Sequence, residues 1–409
     1  MELIWSFLNT EAPILAVSCK TELLGGAGTR AVDWDLAGSN ETVGMVESTC
    51  GLAALAVMLP CGVLTDRCRR LRLLRCLAAA KALPTLLTLW AVSARNLQLL
   101  WMSLVVLVLV NSPQDQVLQV FLVDNTAPLE RTRTLSRKEM VTWLGTAVGP
   151  LVALTLVTAV SERGAWTLSL VETVVCVGLI GSVLVEPVVF FLRNPSSDVA
   201  DPSSAVSDAS ALPQWAQGTA CGVQRRWLIP IWTDIMWALT QVAASMSLRY
   251  IPLFFRKDFG LSPSWLMVLR FVENVSLAAL NFATPKIAAK LGRAWAAVLF
   301  IASGGILMIG VACAQQVYLA AALFVLRTTM SRANVPCVQS IIFESVLPKH
   351  RGRWTAITSF KSATNGAGAW VGGLLADRTG DYRASFLLTG AVHIASSVIF
   401  VPVACMVPT

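Results

Sequence analysis

Apolar residues in this chain come in long blocks, and the polar residues fall mostly in short gaps between them. A bilayer's hydrocarbon core takes about 20 apolar residues per helix. Twelve blocks of spanning length follow one another. The first six cover 3–24, 43–64, 73–93, 97–123, 139–160 and 165–192. The second six cover 227–250, 263–284, 295–314, 317–344, 354–375 and 385–407. Each is predicted to be a transmembrane helix. The first is the most polar, with Asn9, Glu11, Lys20 and Glu22. It reads as a polar pore helix, or as a helix lacking residues ahead of Met1.

Between blocks six and seven the pattern stops. Arg193 to Pro213 is rich in Ser, Asp, Ala and Pro and has no apolar period. It reads as a flexible linker. The expected organisation is a six-helix bundle over 1–192, a linker over 193–226 and a second six-helix bundle over 227–409. The two bundles repeat each other in outline. Val123-Asp124 is followed by Pro128, Arg131 and Arg133; Phe343-Glu344 is followed by Pro348, Arg351 and Arg353. Basic turns end the second helix of each half, at Gly62 to Arg67 and at Pro285 to Arg293. Gly145 to Pro150 and Gly366 to Gly372 fall in matching fifth helices. A membrane chain built from two similar halves is the signature of a secondary transporter.

Composition sharpens this picture. Of 409 residues, 55% are hydrophobic and 14% charged, with mean hydropathy +0.65. Soluble domains carry about 25% charged residues, so the surface is expected to face lipid. The net charge of +8 invites a nucleic-acid reading, which its placement excludes. The basic residues sit in alternate short gaps: Arg67 to Arg75, Arg131 to Lys138, Lys286 to Arg293, and Lys349 to Arg353. By the positive-inside rule that face, both termini and the linker are cytoplasmic. Ten cysteines show no CxxC or Cys/His spacing, so no metal, cofactor or disulfide is expected.

One motif carries a family likeness. Gly62-x-Leu64-x-Asp66-Arg67-x-x-Arg70-Leu71-Arg72 resembles the signature that follows the second helix in the major facilitator superfamily. Arg69 stands where the family usually has a Gly, and the second-half counterpart has Pro285 and Ala289 in place of Gly and Asp. The resemblance implies an all-α membrane fold of twelve transmembrane helices in two pseudo-symmetric bundles. It also implies that Gly62, Asp66, Arg67 and Arg70 gate the outward-open state. Asp66 at a helix end can accept from another helix N-terminus or pair with an arginine across an interface. Gly145-x-x-x-Gly149-Pro150 resembles the family's antiporter motif, as in drug/proton antiporters, without its later glycines. Small residues four apart also simply pack helices closely. Asp377-Arg378 after helix eleven reads as an outer loop turn.

Charges at bilayer depth mark function, because each costs about 2.5–3.5 kcal/mol to insert. They are Glu11, Glu47, Asp115, Asp234, Arg270, Glu273, Arg327, Arg332 and Lys361. By resemblance, helices one, four, seven and ten line the cavity, two, five, eight and eleven flank it, and three, six, nine and twelve face lipid. The last set carries few such charges, Lys81, Glu172 and Glu186, beside neutral His393. Asp115 lies in Asn111-Ser112-Pro113-Gln114-Asp115-Gln116, the best substrate or proton site in the first half. Arg327, with Arg332 and Asn334 just beyond, answers it in helix ten. Arg327 can bind an anionic substrate group or pair with Asp115. Arg270 and Glu273 can neutralise each other. Asp234 and Lys361 are gate partners or snorkel. Glu11, Asp115 and Glu273 are the proton-coupling candidates.

The expected function is secondary active transport of a small organic solute, coupled to an ion such as a proton, by a monomer that alternates access between its bundles. Two alternatives remain: a transporter-like sensor without turnover, and a membrane-embedded enzyme. No paired carboxylates, metal set or nucleophile motif on an outer loop supports the enzyme.

Overall fold

The computed structural model describes residues 40–94, 96–160, 173, 175–181, 186–191, 213–220, 222–248, 250–358 and 360–407. Ten of the twelve predicted spans carry helices there. The first span lies outside the described residues; of the sixth, the described residues 173 and 175–181 are helical and Glu186–Phe191 forms a 3-10 turn. In the first half the helices are α1 (Asn40–Arg67), α2 (Arg70–Ala80), α3 (Ala82–Ser93), α4 (Leu97–Asp124) and α5 (Arg131–Val160). In the second they are α6 (Arg225–Leu248), α7 (Ile251–Phe259), α8 (Pro263–Leu291), α9 (Arg293–Cys313), α10 (Val317–Ala333), α11 (Val335–Ser345), α12 (Arg351–Thr358), α13 (Phe360–Thr379) and α14 (Arg383–Met406). A two-rung hairpin, β1 (Thr219–Ala220) with β2 (Val223–Gln224), leads into α6.

Local chemistry sets the boundaries. Asn96 caps α4 by accepting from Leu99 N at 3.1 Å, and Ser262 caps α8 ahead of Pro263. Gly260, at φ 65°, ends α7 in the left-handed conformation that glycine adopts without penalty. Pro84 and Pro336 lack the N–H that would bond residues 80 and 332, so the third and tenth spans each break, at Lys81 and Asn334.

The basic gaps are largely helical: Arg70 to Arg75 fall in α2, Lys286 and Lys290 in α8, and Arg351 and Arg353 in α12. Arg131 to Lys138 were assigned to a loop, but α5 starts at Arg131 and Lys138 is buried two turns inside it. Asp377-Arg378 was read as a loop turn, but α13 continues to Thr379.

Among the described residues, seven helical stretches are long and apolar enough to cross a membrane by length and composition, α2 and α3 together forming one of them. α6 and the α10–α11 and α12–α13 pairs are not among them. They carry Asp234, Arg327, Arg332 and Lys361. Large apolar side chains such as Trp90, Ile306 and Val398 stay exposed on the outside, as lipid contact requires.

Each half has its own apolar core. Ile229, Phe300, Ile341 and Phe400 anchor one cluster of the second half; Phe254, Phe255, Phe324 and Phe386 anchor another. Leu74, Leu118 and Phe121 centre a cluster in the first half. α9 and α14 touch backbone to backbone, since a Cβ on Gly305 would lie 2.8 Å from Gly390 O. His393 on α14, expected to face lipid, is fully buried in this packing, and its Nδ1 meets Thr389 O at 2.9 Å. Between the halves, α5 packs along α8, and α1 packs against α12 and α13.

Candidate functional site

The seam between the halves is sealed at the end that carries the basic segments. α1 approaches α12 so closely that a Cβ on Gly62 would lie 2.6 Å from Ala356 Cβ and 2.7 Å from Gly352 O. That contact brings Asp66 to the first turn of α12. Its Oδ1 accepts from Gly352 N at 2.7 Å and its Oδ2 from Arg353 N at 3.1 Å. Arg353 Nε stands 3.7 Å from the same carboxylate. A carboxylate at a helix N-terminus satisfies orphan N–H groups and meets the positive end of the dipole. Arg67 is exposed beside it.

A second carboxylate joins the halves one layer away. Asp124 at the end of α4 pairs with Arg70 of its own half and accepts from Arg351 Nη1 of the other half at 2.6 Å. Arg351 is itself buried. Loss of water pulls its guanidinium down to about 10 while Glu344 pulls it back up, so it stays charged at physiological pH. Glu344, the counterpart of Asp124, accepts from Arg293 Nη1 at 2.5 Å. Thr132 donates to Ser340 Oγ across the seam at 3.0 Å. The duplicated stretch therefore supplies both sides of this closure. Asp124 and Arg351 are legible only as members of the repeat, with no signal that they meet, and Gly352 carries no sequence signal of its own.

Deeper in the bundle the charges are differently arranged. Asp115 on α4 is half-exposed, and its partner is Lys138 on α5, with Nζ 3.6 Å from Oδ1. Lys138 also meets Glu139 at 3.2 Å. This triad, not the anticipated pair of Asp115 with Arg327, neutralises Asp115. Neighbouring Gln114 is buried and Asn111 half-buried on the same helix. Arg270 donates to Glu273 at 2.8 Å on α8 and lies 5.8 Å from the Phe324 ring. Arg327 is fully buried on α10. Arg332 lies 4.9 Å above the Trp143 ring of α5, a cation–π contact between the halves. Asn334 is buried at the α10–α11 break and donates to Ser331 O. Asp234 is half-buried in the third turn of α6. Lys361 lies in α13, and Glu11 lies outside the described residues. Gly145, Gly149 and Pro150 lie on α5, which packs against α8 near Trp143, Leu277 and Ala278.

The chain matches known proteins at two levels. Residues 6–360 match the family model described as Major Facilitator Superfamily. The chain belongs to that superfamily. It is accordingly an integral multi-pass membrane protein with the superfamily's twelve-helix, two-bundle fold. A comparison with curated protein sequences gave no match. Among solved structures, the human organic anion transporter MFSD10 superposes with TM-score 0.69 at 16% identity, covering 96% of this chain and 97% of that one. The E. coli fucose:proton symporter FucP gives 0.69 at 12% identity, covering 97% and 98%. A bacterial homologue of the iron transporter ferroportin, in an outward-facing state, gives 0.64 at 14% identity, covering 97% and 99%. At such identities the likeness fixes the fold and leaves the cargo to this chain's own residues.

Proposed function

We propose that this protein is a secondary active transporter of a small organic solute, with proton coupling, whose two bundles alternate access around a central site. The supporting observation is the nature of the seam. Each half has a large apolar core of its own, whereas the closure at the basic end combines a glycine contact, hydrogen-bonded ion pairs and one small apolar cluster in which Phe343 meets Val120, Val123 and Leu135. Polar contacts of this kind can exchange with water when the halves rock apart; a fused apolar core cannot. The basic end is the cytoplasmic one in this reading, so the conformation described is closed to the cytoplasm. Asp66 and Gly62, with Arg67 and Arg70 beside them, hold that closure.

Proton coupling falls to the Asp115–Lys138–Glu139 triad. Two carboxylates compete for one ammonium there, and Asp115 retains water access. Glu273 is a poorer carrier, because Arg270 binds its carboxylate directly. FucP carries a proton with its sugar and has this fold, which makes such coupling a natural reading here.

The test is a disulfide lock. Thr132→Cys with Ser340→Cys, in a background freed of native cysteines, places two thiols where a 3.0 Å hydrogen bond now joins the halves. In proteoliposomes with an imposed pH gradient, uptake is assayed with labelled sugars, organic acids and cationic dyes. Oxidation should abolish the uptake found and reduction should restore it. A lock that forms without altering uptake would refute alternating access at this seam. Alternation without flux of any solute would support a sensor instead.

A further inference from the structure

Arg327 is the largest fully buried side chain of the described residues, with 1% of its surface exposed. Its Nε and Nη2 have no hydrogen-bond acceptor among the described residues. These two nitrogens flank one edge of the guanidinium and carry parallel N–H bonds, the fork that grips both oxygens of a carboxylate. The negative charge that acts on Arg327 is Glu273, whose Oε2 is already taken by Arg270 at 2.8 Å. Arg332 adds a further positive charge from the same helix. His393 of α14 stands close enough to feel Arg327, and its Nε2 is also buried without a hydrogen-bond partner among the described residues. Thr328 Oγ1, on the next residue along α10, is a fourth such atom among the described residues. Buried polar groups are nearly always satisfied, and an unpaired buried cation is the costliest exception.

We propose that Arg327 is the anchor of a carboxylate-binding site, and that the transported solute is an organic acid. This rests on the transporter reading above. The carboxylate binds the Nε–Nη2 edge in bidentate fashion and offsets the surplus positive charge of Arg270, Arg327 and Arg332 over Glu273. Access to Arg327 requires α10 to move. The break at Asn334, where Pro336 leaves Arg332 O without its helical partner, is the point at which α10 can swing. Asp115 then belongs to the proton path and not to the solute.

The experiment uses the full chain in lipid nanodiscs and compares acetate, lactate, benzoate and succinate with acetamide, lactamide, benzamide and succinamide. At equal concentration the acids should raise the thermal unfolding midpoint by several degrees and the amides should not. Arg327→Gln should remove the acid effect, and Arg327→Lys should weaken it about tenfold in apparent affinity. Without ligand, Arg327→Gln should unfold at the wild-type temperature or above, because it removes an uncompensated charge. Equal shifts from acids and amides, no shift from any acid, or a fall of ten degrees in unliganded Arg327→Gln would each overturn the proposal. A matching shift from chloride or nitrate would also overturn it, by assigning the site to inorganic anions. Uptake of the binding acid, competed by its own unlabelled form, separates a transported solute from a resident ligand; binding without uptake overturns the solute assignment. Failure of the disulfide lock would count against alternating access without touching these binding results.

Discussion

Arg351 and Asp124, 227 positions apart, share a hydrogen bond of 2.6 Å from Nη1 to Oδ1 that ties the second half of the molecule to the first. Each belongs to a copy of the same duplicated stretch. Arg70 meets the other carboxylate oxygen, so Asp124 serves one arginine from each half. A double-mutant cycle with Asp124→Asn and Arg351→Gln should give a coupling energy of about 1–3 kcal/mol, as expected for contacting residues in one network. It is read from the occupancy of the closed state by intramolecular spin-label distances. Additive effects of the two substitutions would deny the link.

Asp66 satisfies two backbone N–H groups at the start of α12. Asp66→Ala leaves both orphaned and removes about 1.5–3 kcal/mol per charge-assisted hydrogen bond. The equilibrium should move at least tenfold toward the form open at the basic end. Labelling of Ser340→Cys, now fully buried at the seam, by a membrane-impermeant maleimide should rise accordingly. An unchanged labelling rate would count against a gating role.

Gly62 is the contact point of α1 with α12, and Gly352 faces it, with its own built Cβ 2.6 Å from Gly62 O. Gly62→Val forces the helices apart without touching either core. Thermal unfolding should change by only a few degrees, while uptake falls at least tenfold. Collapse of the fold would show instead that this contact holds the protein together.

Lys138 lies between Asp115 and Glu139. Lys138→Met leaves carboxylates without their cation and should destabilise by about 3–5 kcal/mol, the usual result of breaking a buried pair. Adding Glu139→Gln should recover most of that loss, measured by unfolding midpoint. Asp115→Asn should fold normally, yet abolish uptake driven by a pH gradient while sparing exchange of solute for solute. Gradient-driven uptake equal to wild type would remove Asp115 from the proton path.

Hydropathy marks where lipid ends, not where a helix ends. Arg131 to Lys138 looks like a loop because seven of the eight residues before the apolar run at 139 are polar and four are cationic. They continue as helix because the sealed seam offers them partners, such as Ser340 for Thr132. Lys138 was legible as a topology charge and invisible as the partner of Asp115. The span positions of α1, α4, α8, α9 and α14 follow the apolar blocks closely, since each block is a local property of consecutive residues.

By itself the sequence determined that the chain crosses a bilayer many times and that its second half repeats its first. Those facts are one-dimensional: they depend on the order of apolar and polar residues and on the cost of leaving water. Only the tertiary structure decided which charges meet. Asp115 goes to Lys138, Asp124 to Arg351, and Arg327 keeps its Nε–Nη2 edge unsatisfied among the described residues. The physical reason is that partnership depends on the rotation and crossing of packed helices, set by contacts such as Gly62 against Ala356 and Gly305 against Gly390 that join residues far apart in the chain.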